Sequence, residues 1–321
     1  MRVLLALTIV MHLHGPSLAG VTLSLDARWD AASRVISGNE RSLDGGLRYS
    51  LQGSSFQAYR DSFTWTTVPS VSAFQTAVDQ AFGAWRVVDP VSHYGTALNF
   101  VPDLSTNVER IAGFGTLSVG GAEIDLLASD AGSGGLMGFT AVGLLGTPVT
   151  LTSGVANYTS SVTITGVDLH LNSNATAVYS LDAFRRVLTH EIGHAIGLGD
   201  IDQGGNFIDD NYSGANPVAT LTNSWAAIVD PLDPANSLGL SIYSVPSANF
   251  ALAGVDILME SNGLGLSVNN SLSELFPLRN DDYGMRQYLY PSLSAVPEPS
   301  GLGLLGIFAL GLFRRSRRAE V

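Results

Sequence analysis

Cysteine and lysine are both missing from this chain of 321 residues. Without cysteine, the chain can form no disulfide and no thiolate metal site. All 16 basic residues are arginine, and they face 28 acidic residues, which gives a formal net charge of −12. Such an acidic chain repels nucleic acid, and no basic patch opposes that repulsion, so we expect no nucleic-acid partner. The length allows one large domain with a substantial core, or two small ones.

Histidine is scarce as well: the chain has six, and none follows His194. A metal site completed by a third histidine from downstream is therefore excluded. His190 and His194 belong to the stretch His-Glu-Ile-Gly-His-Ala-Ile-Gly-Leu-Gly-Asp at 190–200, which has the form H-E-x-x-H-x-x-G-x-x-D. Residues four apart lie on one face of a helix, so both imidazoles can bind one Zn²⁺ at about 2.0–2.1 Å. Glu191 lies beside them and is placed to take a proton from a water that the metal activates.

A third ligand is expected shortly after the motif. Gly197 can adopt a left-handed conformation and end the helix, so that the chain turns back and Asp200 reaches the same metal. Asp202 is the alternative by spacing. A carboxylate lowers the net charge of the zinc site and makes the zinc a weaker Lewis acid, but activity is still expected. The plainer interpretation is a helix with two surface histidines and a C-terminal glycine.

The residues around the motif, from Ser180 to Leu198, predict that it lies on a helix. Ser180 suits the N-cap, and Asp182 suits the positive end of the helix dipole. Apolar residues that recur every three or four positions predict one buried stripe, formed by Leu181, Phe184, Leu188, Ile192, Ala195 and Ile196. His190 and His194 lie off that stripe. The apolar face is therefore expected to hold the helix, while the other face presents the ligands to a cleft.

The stretch at 190–200 resembles the signature of metzincin metallopeptidases, in the variant with aspartate at the third position, and the wider chain resembles their matrixin-like branch. The resemblance implies an α+β fold with a twisted mixed β-sheet, a long packing helix and a zinc-binding active-site helix. It also implies a C-terminal subdomain with a methionine turn and a final helix. Met259 resembles the methionine turn, with an ordinary core methionine as the alternative, and Met285 resembles part of the final helix. Because cysteine is missing, the cysteine latency switch of many matrixins is impossible here.

Upstream of the motif, the pattern predicts one long helix and several strands. Ser72 and Gln75 form a capping-box pattern at the start of a helix over 72–86, which resembles the first long helix of matrixins. Strands are predicted at 47–51, 97–101, 122–127, 139–145 and 161–172. The alternation shifts after Gly166, which predicts a bulge. Matrixin substrates pair with an antiparallel edge strand, and by order the range 137–142 is the candidate for that edge.

Two further metal sites are suggested by the sequence. Asp168 and His170 share one face of the strand before the helix and offer a second site, although a solvated strand face is the ordinary interpretation of such a histidine. Asp202, Asp209 and Asp210 offer hard oxygen ligands for Ca²⁺ in the acidic, glycine-rich stretch after the helix, where a solvated loop is the alternative.

Both ends of the chain carry sorting features. Residues 1–19 have the layout of a secretory signal peptide, with Arg2 at the start, an apolar stretch and a small-x-small site at 17–19. Residues 293–321 combine Val-Pro-Glu-Pro-Ser, an apolar run and an arginine cluster, and they resemble the PEP-CTERM sorting signal of Gram-negative bacteria. That resemblance implies transient anchoring in the inner membrane, processing by an exosortase, and release or attachment at the cell surface. A plain C-terminal membrane anchor is the alternative.

Together these features predict a secreted zinc endopeptidase domain over 20–292 that acts on protein or peptide substrates. Zinc held by His190, His194 and Asp200 would polarise the scissile carbonyl, and Glu191 would act as the general base. The alternative is a catalytically inactive zinc-binding protein, or a structural protein of the cell surface or extracellular matrix. The connection 201–258 is longer than in a minimal matrixin, and this insertion keeps the alternative open.

Overall fold

The structure is a computed structural model of the chain. It describes residues 27–86, 95–111, 120–147 and 162–200, together with short pieces at 6–9, 149–150, 159–160, 206–208, 242–244, 258–259, 286 and 289–292. Several predicted features lie outside these residues: the calcium candidates Asp202, Asp209 and Asp210, the alternative ligand role of Asp202, Met285, and the sorting segment 293–321.

Three helices and sixteen short or long strands occur within the described residues. The helices are α1 (Phe56–Arg60), α2 (Val71–Ala84) and α3 (Leu181–Ala195). The strands are β1 (Ala6–Ile9), β2 (Val35–Ile36), β3 (Asn39–Glu40), β4 (Leu47–Leu51), β5 (Thr64–Trp65), β6 (Gly95–Thr96), β7 (Phe100–Pro102), β8 (Ile124–Ser129), β9 (Gly138–Leu145), β10 (Val149–Thr150), β11 (Thr159–Ser160), β12 (Thr163–Asn172), β13 (Val178–Tyr179), β14 (Asn206–Ile208), β15 (Ile242–Ser244) and β16 (Pro291–Ser292).

A mixed sheet of six strands forms the centre of the described fold, in the order β1-β9-β12-β8-β4-β7. Strands β12, β8, β4 and β7 run parallel to their neighbours in that series, whereas β9 is antiparallel to β12 and to β1. The register of β12 against β9 shifts between Ile164 and Gly166, so the bulge predicted beside Gly166 is confirmed. The α+β class expected from the sequence is confirmed as well.

Helices α2 and α3 pack against each other, and α3 contacts β9 and β12 of the sheet. Phe82 of α2 stacks on Tyr49 of β4. The N-cap of α3 is Ser180, as predicted, and its hydroxyl accepts a hydrogen bond from the Ala183 amide. The N-cap of α2 is Ser70, two residues before the predicted Ser72, and the helix begins at Val71. The hydroxyl of Ser70 offers the same acceptor, and the earlier start lets Val71 pack against the core.

An aromatic cluster anchors the first half of α3 between the other helices. Phe184 is fully buried, and its ring lies 4.9 Å from that of Phe74 on α2 and 5.2 Å from that of Phe63, between centroids. The buried rings of Tyr59 and Tyr179 close the cluster at 6.4 Å and 5.7 Å from Phe184. This packing holds the helix that carries the metal motif at a fixed place over the sheet.

Within the described residues, strand β9 has an outer partner over only half of its length. On its outer side, Val142 to Leu145 pairs with Ala6–Ile9 of β1. Among the described residues, no strand pairs with the outer side of 138–141. Within the described residues, 138–141 of the predicted edge at 137–142 thus lack an outer partner, whereas Val142 pairs with Ile9. That a peptide substrate pairs with this edge stays a prediction. Strand β1 belongs to the predicted signal peptide, and whether residues 1–19 are removed stays a prediction.

No helix within the described part of the chain is long and apolar enough to cross a membrane.

Candidate metal centre

His190 and His194 lie one turn apart on α3, and a backbone carbonyl fixes the tautomer of each ring. The Nδ1–H of His190 donates to the Leu258 carbonyl at 2.7 Å, and the Nδ1–H of His194 donates to the Leu198 carbonyl at 2.9 Å. A carbonyl oxygen can only accept, so each neutral ring carries its proton on Nδ1. The lone pair on each Nε2 is therefore available to a metal. Most metal-binding histidines are arranged in this way, with the other ring nitrogen donating to a carboxylate, a backbone carbonyl or water.

Three acceptor atoms converge at one point. The two Nε2 atoms of His190 and His194 are 3.1 Å apart. Asp200 Oδ1 lies 3.3 Å from the first and 3.2 Å from the second. Within the described residues, these three side chains form the one group of potential ligands whose atoms all lie within 4.8 Å of one another. Lone pairs at such distances repel one another unless a cation or a proton lies between them.

The turn after α3 brings Asp200 back to the two histidines. Gly197 has a φ of 102°, in the left-handed region that favours glycine. Its amide donates to the His194 carbonyl at 3.0 Å, and the Leu198 amide donates to the Gly193 carbonyl at 2.9 Å. This pair of bonds is the Schellman motif that ends many helices at a left-handed glycine. The predicted reversal of the chain at Gly197 is therefore found.

The charges at the centre favour a bound cation. Burial lowers the pKa of His190, but the Asp200 carboxylate outweighs burial and raises it to about 9. Burial also lowers the pKa of His194, but Asp200 raises it by more, so the pKa of His194 is raised as well. Burial raises the pKa of Asp200, yet the facing His194 and His190 hold it well below its ordinary value. Asp200 Oδ1 is buried and receives no hydrogen bond of good geometry from any group that the structure describes, so a cation would satisfy it.

Glu191 follows His190 on α3 and is buried, with 4% of its surface exposed. Its Oε2 accepts a hydrogen bond of 2.7 Å from the Thr140 hydroxyl on β9. Burial raises the pKa of Glu191, and the nearby histidines and the Thr140 hydroxyl oppose that rise. A carboxyl group with a raised pKa beside a cation site is suited to accept and return a proton.

Met259 packs beneath α3 against Gly193, which lies between His190 and His194 in the sequence. A Cβ atom built on Gly193 would lie 2.9 Å from Trp85 Cζ2 and closer still to the Met259 side chain. Met259 and Trp85 are both fully buried. Leu258, the residue before Met259, supplies the carbonyl that orients His190. The contact is common to both predictions made for Met259, a methionine turn and an ordinary core residue.

The end of α3 is held by residues that the sequence does not point to. The indole Nε1–H of Trp29 donates to the Ala195 carbonyl at 2.9 Å, and the Tyr290 hydroxyl donates to the Ile196 carbonyl at 2.7 Å. The backbone amide of Trp29 donates to the Tyr290 hydroxyl at 3.0 Å, which links the two. These bonds satisfy carbonyls that a helix leaves unpaired at its end. The partners are separated by 94 to 261 residues, so no local pattern predicts them.

The second predicted metal pair has other partners. His170 Nδ1 shares a hydrogen bond of 2.7 Å with the Ser129 hydroxyl, and its Nε2 lies 4.0 Å from Asp168 Oδ2. The His170 ring stacks on Phe139 with centroids 4.3 Å apart. Asp168 Oδ2 accepts from the Ile111 amide at 2.5 Å. Both residues are buried, so the predicted solvated face is wrong: the segment at Ile111 covers it. No third ligand joins the pair among the described residues.

Comparison with protein-family models, curated proteins and solved structures finds no match for this chain. The geometry of the centre and the residues of the motif therefore carry the functional argument by themselves.

Proposed function

We propose that this chain is a zinc-dependent endopeptidase in which His190, His194 and Asp200 hold one catalytic zinc ion and Glu191 is the general base. The observation that carries the proposal is the convergence of two imidazole Nε2 atoms and one carboxylate oxygen within 3.3 Å of one another. Zinc binds imidazole nitrogen and carboxylate oxygen, and sites with two histidines and one carboxylate keep a fourth position open for water or substrate.

The size of the triangle suits zinc. Ligands at about 2.0–2.1 Å in a tetrahedral arrangement lie about 3.3–3.4 Å from one another. The three separations of 3.1, 3.2 and 3.3 Å come within about 0.3 Å of that value. Calcium and magnesium prefer sets of oxygen ligands, which this centre does not offer among its three groups. The fit favours a transition metal, and the neighbouring Glu191 favours hydrolysis as its use.

When bound, the zinc ion supplies a Lewis acid that polarises the peptide carbonyl and lowers the pKa of a water molecule. Glu191 accepts the proton of the attacking water and then transfers it to the nitrogen of the leaving amine. His190, His194 and Asp200 would hold the ion: the carbonyls of Leu258 and Leu198 orient the two rings, and the turn at Gly197 places Asp200 beside them. Each residue thus has one role, and Glu191 is the group that moves a proton.

The open half of β9 is the proposed binding place for the peptide. The outer backbone groups of 138–141 have no strand partner within the described residues, and Thr140 of this stretch contacts Glu191. An extended peptide can add to such an edge as a further strand through main-chain hydrogen bonds. The scissile bond would then lie beside Glu191, because Thr140 of this stretch contacts the Glu191 carboxylate.

The resemblance to matrixin-like metzincins completes the proposal. It assigns Met259 to the methionine turn, and the buried position of Met259 under α3 agrees with that role. The signal peptide at 1–19 and the PEP-CTERM-like segment at 293–321 extend it to a protein that is exported from a Gram-negative cell, processed by an exosortase, and released or held at the surface.

A peptidase assay with metal analysis tests the proposal. The purified chain should bind one zinc per molecule and cleave casein or gelatin, and a chelator should abolish cleavage. Glu191→Gln should retain zinc and lose about 100- to 10,000-fold of the activity, which is the usual contribution of a general base. Asp182→Asn, an exposed acid in the first turn of the same helix, should leave both unchanged. Bound zinc without cleavage of any peptide would favour the inactive zinc-binding alternative, and absence of bound zinc would favour a structural protein.

A further inference from the structure

We propose that Thr140 and Gly138 of β9 form a socket that fixes the Glu191 carboxylate, with Thr140 as a positioning residue for the general base. The inference rests on the proposed function, because it takes Glu191 to be the base. Neither residue belongs to the metal motif, and both lie more than 50 positions upstream of Glu191 in the sequence.

The alternation of β9 directs both residues toward α3. Residues two apart on a strand share a face of the sheet, so Gly138 and Thr140 point to one side and Phe139 to the other. Thr140 contacts Glu191, whereas the Phe139 ring stacks on His170 of β12. The face of β9 that meets the helix is therefore the face that carries Gly138 and Thr140.

The Thr140 hydroxyl fixes one oxygen of the carboxylate. It donates to Glu191 Oε2 at 2.7 Å, and the Glu191 backbone carbonyl lies 3.3 Å from the same hydroxyl. A hydrogen bond to a charged acceptor is stronger than one between neutral groups. Because Thr140 occupies Oε2, the other oxygen, Oε1, is left to take the proton of the attacking water.

Gly138 makes room for that second oxygen. A Cβ atom at this position would lie 2.6 Å from Glu191 Oε1 and 3.0 Å from Cδ and Cγ. Real Cβ atoms do not approach an oxygen so closely, so any other residue at 138 would displace the carboxylate. Gly138 is buried, and hence the displaced group has little free space around it. Thr140 thus holds the carboxylate by donating a hydrogen bond, and Gly138 leaves space for it because glycine has no side chain.

The socket couples the base to the peptide-binding edge. The same four residues, 138–141, have an unpaired outer edge in the described structure and contact Glu191 through their inner face. A peptide added to β9 would therefore be held by the strand that also fixes the base. Substrate and base keep a constant separation, and correct placement of reacting groups is a large part of catalysis.

Kinetics of two variants test this role. Thr140→Val should lower kcat by about 10- to 100-fold, the equivalent of one hydrogen bond to a charged group, with KM and zinc content unchanged. Thr140→Ser keeps the hydroxyl and should restore kcat to within about threefold. Thr76→Val is the matched control, because the Thr76 hydroxyl bonds to the Ser72 carbonyl on an exposed face of α2; its kcat should equal that of the wild type.

Gly138→Ala tests the other side of the socket independently. It should lower kcat by at least about tenfold, as expected for a displaced catalytic group. Gly146→Ala is its control, since a Cβ at Gly146 meets nothing within 4 Å. A rise in KM with unchanged kcat in both socket variants would overturn the inference, because it would mean that β9 binds peptide without positioning the base.

A double-mutant cycle on the metal-free chain separates this inference from the endopeptidase proposal. Thr140→Val and Glu191→Ala, alone and combined, should be coupled by about threefold or more in the unfolding equilibrium constant. Thr76→Val combined with Glu191→Ala should show no coupling. If Thr140→Val and Glu191→Ala show no coupling, Thr140 does not fix Glu191, and the inference is overturned whether or not the chain cleaves peptides. If the wild-type chain holds zinc but cleaves no peptide, the endopeptidase proposal fails, while the cycle still decides whether Thr140 holds Glu191.

Discussion

Gly193→Ala is the substitution that tests the packing beneath the metal motif most severely. Gly193 lies on α3 between the two histidines and faces Met259 and Trp85, which are both fully buried. An added methyl would lie 2.9 Å from Trp85 Cζ2 and nearer to the Met259 side chain. Neither neighbour can move aside into solvent. The variant must therefore shift the helix, the tryptophan or the methionine.

The magnitude follows from two opposing effects. Overpacking a close-packed core costs about 1–3 kcal/mol, whereas replacing glycine by alanine inside a helix stabilises it by about 1 kcal/mol. We expect Gly193→Ala to lower the free energy of unfolding by up to about 2 kcal/mol, which corresponds to a fall in Tm of up to about 8 °C for a domain of this size. Because Leu258 orients His190, a shift of Met259 should also weaken zinc binding.

Gly83→Ala on α2 is the matched control. Gly83 also lies near the end of a helix, but a Cβ atom there meets nothing within 4 Å. This variant gains the same helix propensity without the clash, so it should raise the unfolding free energy by up to about 1 kcal/mol. Urea unfolding of the metal-free and zinc-loaded chains measures both variants. If Gly193→Ala proves as stable as Gly83→Ala and binds zinc equally well, then Met259 does not lie beneath the motif as described.

Three further predictions concern the centre and its surroundings. Asp200→Asn should weaken zinc binding by at least about 100-fold, more than the loss of an outer-shell partner causes, and competition with a fluorescent chelator measures this; an unchanged affinity would exclude Asp200 as a ligand. Tyr290→Phe leaves the Ile196 carbonyl and the Trp29 amide without their shared partner and should cost about 1–3 kcal/mol in urea unfolding; an equally stable variant would mean that the Tyr290 hydroxyl does not hold the end of α3. Burial raises the pKa of Asp168 to about 7. Between pH of about 4 and about 7 the folded chain therefore keeps the proton of Asp168, whereas the unfolded chain has lost it. The contribution of Asp168 to stability consequently falls as the pH rises through this range. Asp168→Asn should remove that part of the pH dependence, and a profile identical to that of the wild type would contradict it.

The metal motif could be predicted because its information is local. One helical turn brings His190 and His194 together, and the left-handed glycine at 197 brings Asp200 back to them. Both features can be recognised from the eleven consecutive residues 190–200. The N-cap at Ser180 is equally local. The spacing does not by itself distinguish zinc binding from protonation of the same side chains, because a metal ligand must first lose its proton.

The residues that support the motif could not be predicted in the same way. Thr140 and Leu258 contact Glu191 and His190 from positions 51 and 68 residues away, and such contacts depend on how the elements pack. Their only signal in the sequence is weak: Thr140 and Gly138 are two residues apart within the predicted edge at 137–142. Hydrogen bonds to backbone carbonyls leave no signal at all, since every residue has a carbonyl group.

Two predictions from the sequence were wrong for the same physical reason. The polar residues Asp168 and His170 predicted a solvated face, but the segment at Ile111 covers them and satisfies the carboxylate with a backbone amide. Ser70 and Ser72 both offer an N-cap hydroxyl, and packing of Val71 selects the first. In each case a local preference was overruled by tertiary packing, which a single sequence does not display.

X-ray absorption at the zinc edge is the most direct test of the central claim that His190, His194 and Asp200 bind one zinc ion. The purified chain at neutral pH should contain one zinc per molecule, with two imidazole ligands and oxygen ligands at about 2.0–2.1 Å. Asp200→Asn should lose stoichiometric zinc or change the oxygen shell while both imidazoles remain. A chain that holds no zinc under these conditions, or zinc with fewer than two imidazole ligands, would contradict the account.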